Sequence, residues 1–172
     1  MKSSVRLASF VCLIHVVFLS ISHCRVFLPN DLRLIEHTCN KTPHRDLCVS
    51  ALTSDPESAG ADVKGLARIM ANVILRKATI DTQHKIEGMI AHNPGDQRLT
   101  KCRDDYKVIK TKIDSTNASI TKHDYKSAEE SMNDAIAEAN ICEGRFPGRS
   151  PLIYENKLEA DIADLAADIV IM

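Results

Sequence analysis

From Leu99 onward the positions that read as one apolar side are Leu99, Cys102, Tyr106, Ile109, Ile113, Thr116 and Ile120. The steps alternate three and four residues. That spacing follows one face of an α-helix and does not fit the two-residue period of a strand. Tyr125, Ala128, Met132, Ala135, Ala139 and Cys142 repeat the same steps. Leu158, Ile162, Leu165, Ile169 and Met172 form a third stripe. A fourth starts at Val63, Leu66, Met70, Val73 and Ile74 and continues less regularly through Ile80, Ile86 and Ile90. Four amphipathic stripes predict an all-α chain, an antiparallel four-helix bundle. With 6 Gly and 6 Pro in 172 residues, the chain is also poor in the residues a turn-rich all-β fold needs.

The breaks fall between the stripes. His92-Asn93-Pro94-Gly95 ends one helix, because Pro and Gly do not easily continue it. Lys122-His123-Asp124 is a short polar link between a helix over 96–122 and one over 124–143, with Asp124 placed as a cap. Gly144 to Pro151 separates the last two helices, and Ser150-Pro151 predicts an N-cap with Pro at the first helical position. Ahead of Ala61 the pattern differs. Asp31 to Thr38 and Arg45 to Thr53 read as short helical pieces hinged at Cys39 and Cys48, and Asp55-Pro56-Glu57 as a turn. These pieces predict an N-terminal helical hairpin attached to the bundle.

Residues 1–24 read as a secretory signal peptide. Lys2 and Arg6 supply the basic start, Leu7 to Ile21 an apolar run interrupted by His15, and Ser22 and Cys24 small residues before a cut at Arg25. The run is shorter than the roughly 20 residues of a spanning helix. The expected organisation is 1–24 leader and 25–172 one mature domain, with the hairpin over 30–60 and the bundle over 61–172. The mature protein is then exported, with no membrane anchor.

Export sets the reading of the cysteines. Cys12 and Cys24 leave with the leader, and Cys39, Cys48, Cys102 and Cys142 remain in an oxidising compartment. Two disulfides follow, with three pairings open. Cys39 and Cys48 pair most easily as a local loop. Cys102 and Cys142 then join distant segments, at the end of two antiparallel helices far from their connecting turn.

The chemistry is as informative for what it lacks. No G-x-S-x-G, H-E-x-x-H, Walker or dinucleotide motif occurs. Adjacent carboxylates such as Asp104-Asp105 and Glu129-Glu130 point in different directions on a helix. No catalytic residue, cofactor or metal site is expected: there is no C-x-x-C, and the seven His are scattered. Lys plus Arg is 22 against 23 for Asp plus Glu, and Trp is absent, which leaves no footprint for nucleic acid. Narrow, Ala-rich stripes argue a tight core without room for a carried lipid. Asn40-Lys41-Thr42 and Asn117-Ala118-Ser119 fit the glycosylation rule, Asn117 lying off the apolar stripe of its helix.

Several short motifs resemble one family. They are Thr38-Cys39-Asn40-Lys41-Thr42-Pro43, Leu47-Cys48, Ser54-Asp55-Pro56, Asp62-x-x-Gly65-Leu66-Ala67, Ala139-x-x-Cys142-Glu143 and Ser150-Pro151-Leu152 with Asn156. Over about residues 30–172 the chain is similar to plant invertase/pectin methylesterase inhibitors. The resemblance implies a four-helix bundle with a hairpin, bridges Cys39–Cys48 and Cys102–Cys142, and no catalysis. It implies a partner, acid invertase (a β-fructofuranosidase) or pectin methylesterase, in the cell wall or vacuole. Lacking a vacuolar sorting signal, the chain reads as apoplastic, and monomeric in the free state. Invertase inhibitors of this kind carry Pro-Lys-Phe in the turn before the third bundle helix. The matching residues here are Tyr125-Lys126-Ser127 after Asp124, which keep the Lys. The resemblance therefore makes Asp124, Tyr125, Lys126 and Ser127 the candidate target-binding residues, with invertase the first expectation and pectin methylesterase the alternative.

Overall fold

A computed structural model describes residues 27–172, all of whose regular elements are helical. The expected leader over 1–24 lies outside these residues. Helix α1 spans Pro29–Cys39 and α2 spans Arg45–Ser54. A 3-10 turn at Pro56–Ser58 follows, its first backbone amides held by Asp55, which accepts from Glu57 N at 2.8 Å. Helix α3 covers 63–92 in three parts: α over Val63–Ile69, π over Met70–Leu75 and α over Arg76–His92. Then come α4 (Gln97–Thr121), α5 (Tyr125–Gly144) and α6 (Ile153–Val170). Helices α3 to α6 form the bundle, and α1 and α2 form a hairpin set against it.

Packing follows the stripes where the helices are regular. Leu99, Cys102, Tyr106, Ile109, Ile113, Thr116 and Ile120 of α4 are all buried. So are Ala128, Met132, Ala135, Ala139 and Cys142 of α5, with Tyr125 half-buried at its start. Small side chains on α5 let α4 and α6 approach it closely, and these two helix pairs share the largest contacts. The hairpin sends Ile35, Cys39, Cys48 and Leu52 into the same core. His44, before α2, faces Asp161 and Asp164 of α6 at 3.5 and 3.6 Å. The bundle helix α3 starts tightly: Asp62 accepts from Gly65 N at 2.7 Å. A Cβ at Gly65 would stand 3.1 Å from that capping oxygen and 3.1 Å from the Ala61 Cβ, so the glycine is fixed by close approach.

The α3 stripe departs from expectation. Val73 and Ile80 are exposed, and the larger side chains buried along the helix include Leu66, Met70, Leu75, Thr79, Thr82 and Ile86, with Ala67, Ile69 and Ala71 buried beside them. The step from Met70 to Leu75 is five residues, the period of the π turn, which accommodates one extra residue and resets the facing of the helix. Two of the reset positions are threonines. Their hydroxyls donate to Leu75 O and Ala78 O at 2.8 and 2.9 Å, which removes most of the cost of burying them.

The α6 stripe also differs. Ile162, Leu165 and Ile169 are buried, but Leu158 and Met172 are exposed, and Glu159 is wholly buried instead. Helix α6 begins at Ile153, two residues beyond the expected Pro151. Ser150 is not its N-cap; its hydroxyl accepts from Leu152 N at 3.0 Å and turns the chain ahead of the helix.

The cysteines form two bridges, Cys39–Cys48 and Cys102–Cys142. The second ties the start of α4 to the end of α5. Beside it Asp105 accepts two bonds from Arg145, from Nε at 2.8 Å and Nη2 at 2.6 Å. The Cys102 and Cys142 sulfurs and an Asp105 carboxylate oxygen lie within 4.8 Å of one another. Both sulfurs are spent on the bridge, so the group offers no thiolate to a metal. No helix among the described residues is long and apolar enough to cross a membrane.

Candidate functional site

The link between α4 and α5 is built as a fixed tip. His123 adopts a φ of +58°, the left-handed conformation that closes the last turn of α4. His123 N and Asp124 N bond back to Ile120 O and Ser119 O at 3.0 and 2.9 Å. Asp124 then caps α5. One carboxylate oxygen accepts from Ser127 N at 3.1 Å and the other from Ser127 Oγ at 2.7 Å. Those bonds, the hydroxyl first, with Lys122 and Lys126 nearby, hold the Asp124 carboxyl below its usual range. Two of the four candidate residues, Asp124 and Ser127, thus spend their polar groups on shaping the turn.

Tyr125 is held from three sides. Its body packs against the core, and its hydroxyl bonds His123 Nδ1 at 2.9 Å. The Lys64 ammonium sits 4.1 Å above the ring centre. The same ammonium donates to Val170 O at 2.7 Å. Lys64 therefore ties three segments together: the start of α3, the tip and the end of α6. The sequence reading did not include Lys64. Its position beside the Asp62 cap gave no sign of a reach across 61 residues to Tyr125.

Lys126 is left facing water. Its side chain is 83% exposed, and its nearest acid, Glu130, is 4.0 Å away on the same helix face. An exposed pair of that length contributes little and does not hold the ammonium in place. The tip thus presents two exposed cations, Lys122 and Lys126, on a backbone that the Asp124 cap and the Tyr125–Lys64 stack keep in one shape.

The other sequence-derived sites lie elsewhere. Asn40 is exposed, and its Oδ1 accepts from Arg45 Nε at 2.6 Å. The Thr42 hydroxyl of that sequon is buried and donates to Cys39 O at 2.9 Å. Asn117 is exposed on α4, its Oδ1 accepting from Asn72 of the π turn at 3.3 Å. The Cys102–Cys142 bridge sits at the opposite end of the bundle from the tip. A cleft of about 610 Å³ opens at that far end too, between the 93–96 and 145–151 loops, with Met89, Leu99, Phe146 and Arg149 among its walls. It shares no residue with the tip.

Comparison with known proteins agrees with this architecture. A family model for the plant invertase/pectin methylesterase inhibitor matches residues 33–169. The chain is 36% identical over 138 residues to cell wall/vacuolar inhibitor of fructosidase 1 of Arabidopsis thaliana, covering 79% of this chain and 67% of that protein. It is 30% identical over 158 residues to a pectinesterase inhibitor of Actinidia deliciosa, covering 89% and 84%. Among solved structures, a mutant form of an Arabidopsis pectin methylesterase inhibitor superposes with a TM-score of 0.66 at 17% identity, covering 78% of this chain and 93% of that one. At that identity the structural likeness speaks for the fold.

Proposed function

The chain belongs to the plant invertase/pectin methylesterase inhibitor family, and from that premise we propose that it binds and blocks a plant acid invertase, with Lys126 as the residue it delivers to the enzyme. Members of the family are proteinaceous inhibitors and not enzymes. The observation that carries the finer reading is the tip itself: an exposed ammonium, loosely paired with Glu130, on a rigid turn. A β-fructofuranosidase works with a pair of carboxylates, so its pocket is anionic. A lysine carried on a fixed backbone fills such a pocket without the added cost of ordering the turn itself. The similarity to a fructosidase inhibitor supports the same target. The leader over 1–24 and that relative's cell wall/vacuolar description support export, and we place the protein in the wall as a monomer.

The test is a titration of the purified protein against an acid invertase and, in parallel, a pectin methylesterase. Lys126→Glu is expected to weaken invertase inhibition at least about tenfold, or 1.4 kcal/mol. Lys126→Ala is expected to weaken it less, because reversal brings like charges together in a partly desolvated pocket. Both variants are expected to melt with the wild type, since the side chain is exposed. Full inhibition by Lys126→Glu would overturn this binding mode.

One observation favours the second target. Tyr125 lies back under Lys64, so the tip offers a partner no projecting aromatic ring. A partner engaged without an apolar anchor at the tip would contact the sides of the helices, and pectinesterase inhibitors stand among the relatives. Inhibition of pectin methylesterase with invertase untouched selects this reading.

A further inference from the structure

Among the described residues the bundle core holds one buried acidic side chain without an ion pair, and the inhibitor reading does not use it. Glu159 of α6 has no exposed surface. One of its oxygens meets the Thr79 hydroxyl of α3, and the other, Oε2, is buried with no hydrogen-bond partner. Among the described residues it forms no ion pair; Lys85 is spent on Glu155, one turn earlier, at 2.6 Å.

The hydrogens can be counted at Thr79. A threonine hydroxyl has one hydrogen to give. Thr79 Oγ1 stands 2.8 Å from Leu75 O, and a carbonyl oxygen only accepts, so the hydrogen is committed there. The second contact, between Thr79 Oγ1 and Glu159 Oε1, then needs a hydrogen from the carboxyl. A carboxylate in that position would set two acceptors against each other. Its unpartnered Oε2 would be a buried partial charge with no compensation, whereas the same atom in a neutral acid is a carbonyl oxygen.

We infer that Glu159 is built into the core as a neutral carboxylic acid donating to Thr79, and that its ionisation is a pH-sensitive switch on the packing of α3 against α6.

The surroundings reinforce the neutral form. From α3 it meets Thr79, with Lys85 of the same helix already paired to Glu155. From α4 comes Tyr106, whose hydroxyl donates to Asn156 Oδ1 at 2.9 Å. From α5 comes Glu143, which accepts from Asn156 Nδ2 at 2.8 Å. On α6 itself Glu155 precedes it, and Asp161 and Asp164 beyond it face His44 of the hairpin. None of these groups gives an ionised Glu159 a positive partner, and it is the most deeply buried of the acids named. Burial pushes its carboxyl up to about 8.

The sign follows from proton counting. Between the ordinary carboxyl value of 4.5 and about 8 the folded chain holds a proton that the unfolded chain has released. Stability is therefore greatest at the acid end and falls as pH rises through that window. It levels off above it, where both states are ionised. The switch keeps the bundle tight in acid and slackens the α3–α6 contact toward neutral and alkaline pH. It is independent of which enzyme the protein inhibits.

Two measurements test it on the full mature chain. In carbon-13 NMR of glutamate-labelled wild type, the Glu159 side-chain carboxyl is expected to titrate far above the other glutamates. In thermal melts from about pH 5 to about pH 9, the wild-type midpoint is expected to drop on the order of 10 °C. Glu159→Gln, which keeps the shape and cannot ionise, is expected to lose less than half as much. Titration of Glu159 in the ordinary carboxylate range overturns the inference. So does an equal pH slope in the Gln variant. The NMR titration needs no variant, so it decides the matter even if the substitution prevents folding.

Discussion

A Cys142→Ser variant is expected to lose about 4 kcal/mol of stability. The chain-entropy model gives that value for a bridge across 40 positions, against about 3 kcal/mol for Cys39–Cys48 across 9. For a domain of this size the melting midpoint should fall by roughly 10 °C. Both sulfurs are fully buried between α4 and α5, so no solvent exposure softens the loss. The bridge lies at the end of the bundle opposite Lys126, separated by most of the length of α4, about 30 Å at the rise of an α-helix. Below its lowered midpoint the variant should therefore still present the tip and inhibit. Urea or thermal unfolding gives the first number and an inhibition assay at low temperature the second. A midpoint equal to the wild type would show that the bridge adds nothing to the packing around it.

Arg145→Ala is expected to cost about 3 kcal/mol at neutral pH. The Asp105 side chain is only 9% exposed and its carboxylate is held by both arms of the Arg145 fork. Removing the guanidinium leaves a buried negative charge without a partner. The value sits at the low edge of the range for buried pairs because Arg145 remains 26% exposed to water. Glu138 makes the loss worse. Its carboxyl is already pushed upward by partial burial and then by Asp105, while Arg145 pulls it down. Without Arg145 the two acids face one another, and protonating Glu138 relieves the repulsion. The destabilisation should therefore shrink in acid, where the wild type and the variant converge. Chemical denaturation at two pH values checks this. A cost that is the same at both would assign the effect to lost packing of the arginine stem instead of charge. Arg145 and Cys142 share a neighbourhood, so their effects should not add.

How much of this was legible in the sequence varies by helix, for a physical reason. The α4 stripe was readable in full because every step is regular and every stripe position but Thr116 is apolar or Cys; the buried Asp105 beside it was not part of the pattern. In α3 the reading held at Ile86 but misplaced two positions after Met70. Counting apolar residues selected Val73 and Ile80, while the π turn had shifted the inner face to Leu75, Thr79 and Thr82. A threonine hydroxyl that bonds the preceding turn's carbonyl is cheap to bury, and hydrophobic counting does not register it. Glu159 was invisible for the same reason: Leu158 beside it is the residue a pattern selects, yet it is the exposed one. At the tip, Asp124 was legible as a cap because capping is local. Lys64 was not, since its contacts with Tyr125 and Val170 exist only once the chain is folded.

The π turn has a further consequence for how the chain tolerates editing. Ordinarily, deleting one residue from a helix rotates everything beyond it by about 100° and scrambles the buried face. Here the five-residue step from Met70 to Leu75 already holds one residue more than an α-helix needs. Taking out Val73, which faces solvent, would turn that step into four and leave Thr79, Thr82 and Ile86 facing inward as before. The helix would heal into uninterrupted α structure with its core unchanged. This stretch of α3 is thus a place where chains of two different lengths can share one core.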